Sequence, residues 1–444
     1  MRVNAMKFAK MGVARAAMAA ALATGVAAGG ILLGAAPASA KEKEAPKATY
    51  SKEFVAAAAP VQKLVTDAQA AQGKGTSAAD IKATLSTAPA LVAAAEAAAK
   101  TGQDRLAVGQ FAVQLGGFLD DNAMRSRGIR NMLESGLLEP AKVPLFNFYL
   151  GNFAYGAKDW PTATDALTKA VSGNTSEDAA AEMLADSYAE QGKNAEALVA
   201  LKMAVDTRKA ANGTVPESWY KRANLIAYKG KLGPQAIEWS TLLVEANPSQ
   251  MNWLGAGQLA REFSNFTKEE SLDLGRLFLR TGALNNDKQY VEREFVEYIE
   301  SADPRRLPGE TLKIAELGLS KGVLRSNDMF VTDAISQAKG RIPADKASLP
   351  GLERDANKAA DGKTAMAAAD AFLSYDDPAK AEEFYKLALI KGNIDKDRAI
   401  TRLGIAQTDL NKFDDAKATF AQVGGIRAPL AKLWAVYAAD KAKP

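Results

Sequence analysis

The sequence predicts an all-α chain, an α-solenoid of stacked antiparallel helix pairs. Three observations carry this. The first is spacing. Ile400, Leu403, Gln407 and Leu410, and then Phe413, Ala416, Phe420 and Val423, each step by three, four and three, which sets each group on one face of a helix. The second is an internal repeat. Leu150, Gly151, Ala163, Leu167 and Ala170 match Leu184, Ala185, Ala197, Leu201 and Ala204, every pair 34 residues apart. The third is composition: 48% hydrophobic yet only 7% aromatic, and rich in alanine, which favours helices packed closely through small side chains.

Taken in order, residues 1–40 read as a secretory signal. Arg2, Lys7, Lys10 and Arg15 precede an apolar run from Ala16 to Gly34, and Ala38-Ser39-Ala40 forms a small-x-small cleavage site at Ala38 and Ala40. An uncleaved anchor is the alternative, but the run is alanine and glycine rather than leucine, so its gain in a bilayer is weak. No cysteine follows for lipid attachment, and no paired arginines precede the run. The expected location is the periplasm, or outside the cell. The segment holds four of the chain's 56 basic residues and none of its 52 acidic ones. The body beyond it is therefore balanced and exerts no net pull on nucleic acid. Residues 41–52 read as a charged, flexible tether.

Residues 53–142 predict Ala-rich helices with breaks at QGKGTS (72–77) and STAP (86–89). Residues 143–250 hold the two clear repeats and a weaker copy at 217–250, marked by Trp219, Ala223, Ala236 and Leu243. Residues 251–361 predict degenerate hairpins. There Gly282, Gly322 and Gly362 recur every 40 residues, and Gly136 and Gly392 sit in similar surroundings. These suit helix C-caps with an apolar return contact. Two longer hairpins are expected across 282–361, with loops around 302–310 and 340–351. Residues 362–425 return to the repeat, with Ala369, Ala381, Tyr385 and Ala388, then Leu403-Gly404, Phe413, Ala416 and Phe420. Residues 426–444 predict a capping helix with Trp434 and Tyr437 one turn apart.

The 34-residue period, the Leu-Gly pair and the Ala-x3-Phe/Leu-x2-Ala core of the second helix resemble the tetratricopeptide repeat (TPR) family. Gln407 departs from the usual aromatic, and the third copy needs a one-residue insertion if Trp219 takes the family's tryptophan position. The resemblance implies a right-handed superhelix whose concave face, made by the first helix of each pair, binds an extended peptide or a partner's helix. The equivalent groove positions are Phe148, Asn152, Tyr155, Glu182, Asp186, Lys221, Tyr228, Met366, Asp370, Arg398 and Thr408.

Reactive chemistry is thin. With no cysteine and no histidine, disulfides, thiol nucleophiles, a Ser-His-Asp triad and His-ligated zinc are excluded. DGKT at Asp361–Thr364 lacks the upstream glycine of a phosphate loop, and GKGTS at Gly73–Ser77 lacks the upstream strand. Glu134-Ser135 matches lytic transglycosylases over two residues only. Asp120-Asp121, Asp376-Asp377 and Asp414-Asp415 lack calcium-loop spacing and suit helix caps. The five tryptophans suit core packing. No catalytic, cofactor or metal residue is expected. The function expected is that of a non-enzymatic, exported bacterial scaffold for a protein or peptide partner, in envelope assembly or export. The alternatives are a helical platform enzyme acting on cell-wall glycan and a self-assembling structural protein.

Overall fold

The computed structural model describes residues 49–443, which form 21 α-helices and, among the described residues, no strand. The signal segment, its Ala38–Ala40 site and most of the tether lie outside the described residues.

Five helices come first: α1 (Lys52–Gly73), α2 (Ala78–Thr84), α3 (Ala88–Ala98), α4 (Gly102–Leu119) and α5 (Asn122–Glu134). Their breaks fall in the two stretches expected. Ser77 caps α2 by accepting the Asp80 N–H, and Thr101 with Asp104 closes a capping box on α4. Asp104 also accepts from the backbone N–H and hydroxyl of Ser51, which ties the start of the folded unit to α4.

Pairs follow: α6 (Val143–Gly156) with α7 (Trp160–Ser172), α8 (Ala179–Glu190) with α9 (Asn194–Ala210), and α10 (Glu217–Lys229) with α11 (Gly233–Ala246). Next come α12 (Gln250–Ser264) with α13 (Lys268–Arg280), α14 (Lys288–Ala302) with α15 (Pro308–Ser320), and the long α16 (Met329–Lys358). The chain closes with α17 (Lys363–Ser374) and α18 (Pro378–Lys391), α19 (Lys396–Asp409) and α20 (Phe413–Phe420), and α21 (Ala428–Lys441). From α3 onward each helix packs on its neighbours in sequence, and short turns make neighbours antiparallel.

The repeat residues do what their spacing demands. Ala163, Leu167 and Ala170 are fully buried, as are Ala197 and Leu201. A Cβ on Gly151 would lie 2.5 Å from Leu167, and one on Gly404 2.5 Å from Phe420, so glycine sets the crossing distance in both pairs. The turn inside the pair also recurs. Lys158, Gly192, Lys231, Asp376 and Asn411 are all left-handed, with φ of 58, 76, 54, 60 and 59°. After each, an N–H returns to a carbonyl five residues back: Asp159 to Ala154, Lys193 to Tyr188, Leu232 to Ala227, Asp377 to Phe372 and Lys412 to Gln407, at 2.9–3.0 Å. The weak third copy thus has the same backbone as the clear ones. Its displacement arises upstream, where α9 runs 17 residues against 13 in α7.

Two expectations need correction. Gly136, Gly282, Gly322 and Gly392 take positive φ as C-caps should, but Gly362 does not. It stands before α17, donates its N–H to the Gly392 carbonyl at 2.8 Å, and leaves no room for a Cβ, which would lie 2.3 Å from the Ala388 carbonyl. The loop expected at 340–351 is helix, because α16 runs 30 residues through Pro343 and Pro350. Tertiary contacts outweigh the two lost backbone donors. The Tyr375 hydroxyl donates to Asp345, Lys380 pairs with Glu353, and the Lys391 ammonium caps the carbonyls of Ala356, Asn357 and Ala359. Among the described residues no helix is long and apolar enough to cross a membrane.

Candidate partner-binding face

The first helices α6, α8, α10, α12 and α14 are joined edge to edge by polar side chains. The Tyr155 hydroxyl donates to Asp186 at 3.4 Å. Arg222 reaches Asp186 at 3.4 Å and Glu182 at 3.7 Å, and the Ser218 hydroxyl donates to Glu182 at 2.6 Å. Asn252 donates to Glu217 at 3.0 Å. Farther on, Gln258 and Arg261 donate to Glu294, and Arg261 also meets Glu297. These links step 31–40 residues along the chain, about the period of the stack.

The groove positions expected in this region sit mostly on open surface. Asn152, Tyr155, Glu182 and Asp186 are half-buried, and Lys221 and Tyr228 are exposed. Phe148 is only 4% exposed and serves packing instead. Asp186 is the most strained electrostatically. Burial, above all, pushes its pKa above the usual carboxylate range. Arg222 pulls it down, and Glu182 and Glu190 push it up again. Its two donors stand at 3.4 Å, too far for strong bonds. Leu225 and Met251 were missed by the sequence reading. They are 41% and 47% exposed, as Tyr228 is at 53%, and add apolar surface to the first helices α10 and α12. The available signal was their place outside the apolar stripe of their own helices.

The C-terminal groove positions are in a different situation. Met366 and Thr408 are buried, at 2% and 4%. Asp370 accepts from Arg402 and from the Tyr385 hydroxyl, both at 2.7 Å. Arg398 faces Glu269 at 3.5 Å. Ion pairs join α19 to α13, through Arg398 and Arg402 on one side and Arg280 to Asp409 on the other, and α21 packs on α11, α12, α13 and α20. Asp273, fully buried at the centre of α13, accepts from Arg276, Arg402 and Arg427 at 2.7–3.2 Å. Its backbone carbonyl accepts the Trp434 indole N–H at 3.2 Å. Arg276 forks onto Glu310, which also takes the Tyr298 hydroxyl. Arg402 continues to Glu269 at 2.7 Å. Burial would raise these carboxyls, but the guanidinium groups override it. Arg402, Arg427 and Arg276 hold Asp273 far below its usual value, and Arg402 with Arg306 holds Glu269 at about 2.

The remaining candidates have structural roles. Asp121 and Asp377 cap α5 and α18 by accepting N–H groups from Met124 and Lys380. Glu134 is exposed at the end of α5, and the Ser135 hydroxyl donates to the Met132 carbonyl. Asp361 accepts from the Lys363 N–H and from Asn393 beside the Gly362 turn. Trp219, Trp239, Trp253 and Trp434 are buried, while Trp160 is half-buried edge-on to Tyr155.

No family model matches this sequence, and no curated protein is significantly similar to it. Among solved structures, it is similar to the TPR2AB domain of yeast Sti1 in its pHSP90 complex, at 14% identity over 67% of this chain and 95% of that one, with a TM-score of 0.23. It is similar to apo RapI at 11% identity over 76% and 97%, with a TM-score of 0.30. It is also similar to the C-terminal part of a TPR repeat-containing protein from Cytophaga hutchinsonii, at 13% identity over 58% and 99%, with a TM-score of 0.21. Likeness at this level fixes neither the architecture nor a partner, and the helix packing above stands on its own.

Proposed function

We propose that this chain is a non-enzymatic, exported scaffold of TPR type that binds a protein or peptide partner on the first-helix face of residues 143–264. The observation that carries the reading is the state of that face. It is a row of parallel helices whose polar side chains are only loosely satisfied, around Asp186, and whose apolar Leu225, Tyr228 and Met251 stand open to solvent. A solvated face would be expected to satisfy its own carboxylates. Export to the periplasm rests on the basic, apolar and small-residue order of residues 1–40. A role in envelope assembly or export follows from that address together with the scaffold reading.

The test is cross-linking in living cells on the C-terminally tagged chain, with Asn152→Ala/Tyr155→Ala as the control. The expected result is a partner captured by the wild-type chain and lost in the control. Equal capture by both would sink the face assignment. N-terminal sequencing of the same material checks export: Lys41 is expected as the first residue, and retention of residues 1–40 would refute cleavage.

A further inference from the structure

We propose that α13 is a built-in strap: Arg402 of α19 and Arg427 grip its carboxylates, Arg402 carries the link on to Asp370 of α17, and together they hold the C-terminal part of the chain closed on the middle of the array. The starting point is sequence separation. Links between successive first helices span 31–40 residues, whereas Asp273 meets Arg402 across 129 residues and Arg427 across 154. Stacking of neighbouring pairs cannot produce such contacts. They require residues 396–441 to return to the middle of the array, and α21 does return there.

The strap is built for this contact. The second helices α7 and α9 keep a solvated side, with Asp165–Lys169 and Lys202–Asp206 pairs in water. In α13 the corresponding position is lost to solvent, and Glu270, Leu272, Asp273, Leu274, Arg276, Leu277 and Phe278 are all buried. Its polar side meets Arg402, which is 0% exposed and bonds Glu269 and Asp273 on the strap and Asp370 on α17. Arg427 adds Asp273 and Glu270 from the segment before α21.

Apolar side chains of similar volume could fill this space with no loss of stability, so the ion pairs are better explained by geometry. Planar guanidinium forks donate to carboxylates in one register and orientation only. They fix where the C-terminal pairs land. The consequence for binding is that the face carrying Met366, Asp370, Arg398 and Thr408 is self-occupied. An outside segment entering there must be a helix that offers carboxylates where Glu269 and Asp273 now stand.

The experiment uses the full chain. It has no cysteine, so Lys268→Cys and Lys396→Cys, both at exposed positions, take spin labels cleanly. Pulsed electron resonance should give one narrow distance in this background. Adding Asp273→Asn should lengthen and broaden it. Amide exchange should then rise about tenfold or more in 398–409 and 428–441, while 160–205 stays protected. Arg402→Met leaves α13 itself intact and should open the chain in the same way. An unchanged distance in both variants would mean that apolar packing alone closes the chain, and the strap idea falls. Loss of protection across 160–205 as well would make α13 a core element of one cooperative unit, and the idea falls equally.

Discussion

Gly404→Ala and Gly255→Ala make the same chemical change and should move stability in opposite directions. Replacing a mid-helix glycine by alanine gains about 0.5–1 kcal/mol from backbone entropy and propensity. At Gly255 nothing lies within 4 Å of the new Cβ, so the gain stands. At Gly404 the Cβ falls 2.5, 2.7 and 2.8 Å from three ring carbons of Phe420. That ring has nowhere to go. It stacks on Trp434 at 6.1 Å between centroids, and Trp434 is 0% exposed with its N–H held by Asp273. Overpacking of this kind costs about 1–3 kcal/mol, which exceeds the propensity gain and leaves a net loss of about 0.5–2 kcal/mol. A solenoid of this length need not unfold in one step, so the assay is native-state amide exchange of α12 and of α19 and α20, beside urea denaturation. Phe420→Leu should recover part of the Gly404→Ala loss, with a coupling of about 0.5–3 kcal/mol between the two positions. Equal signs for the two alanine variants, or no coupling with Phe420, would refute the close-crossing argument.

Pro343 is exposed inside α16 and leaves the carbonyl four residues earlier without its helical donor. Pro343→Ala should therefore raise the melting temperature, by the equivalent of about 1–3 kcal/mol, and a fall would mean the ring is needed for packing. Acid should weaken the closed C-terminal part in a defined window. Glu269, facing Arg306, Arg398 and Arg402, is held at about 2, and Asp273, facing Arg276, Arg402 and Arg427, lower still, whereas unfolded carboxylates titrate near about 4. Folded values below unfolded ones give stability that is complete above the unfolded pKa and is lost as pH falls through the folded one. Circular dichroism from pH 5 to pH 2 should show this loss, with a shallower slope for Asp273→Asn. Identical slopes would argue against the ion network as its source. Asp186 has the opposite sign: its raised pKa means the charged form costs the fold stability at neutral pH, and that cost is relieved as pH falls through the raised value. Asp186→Asn should keep or raise thermal stability at pH 7 while weakening partner capture, and destabilisation would show that its link to Arg222 dominates.

The helix pairs were legible because everything that makes them is local. Gly151 and Leu167, or Gly404 and Phe420, lie within one hairpin, and an apolar step of three and four residues has one reading. The first-helix face was partly legible. Tyr155, Asp186 and Lys221 follow from their place in the repeat, but Phe148 at an equivalent position is buried, and Leu225 and Met251 emerge only once neighbours are placed. The long α16 was hidden because Pro343 and Pro350 are strong local signals for a break, and the groups that outweigh them, Tyr375, Lys380 and Lys391, come from later helices.

By itself, then, the sequence determined the unit: small residues at the crossing points and a left-handed turn make each pair, because those constraints act over a few tens of residues. Only the tertiary structure decided what the later units enclose. Asp273, Arg276 and Arg402 look like ordinary solvated positions in the chain, with one hint, that Asp273 and Arg276 interrupt the apolar run of Leu272, Leu274, Leu277 and Phe278. Their partners lie up to 154 residues away. A charge can be buried only where opposite charges converge on it, and that convergence is a property of the closed array and of no single repeat.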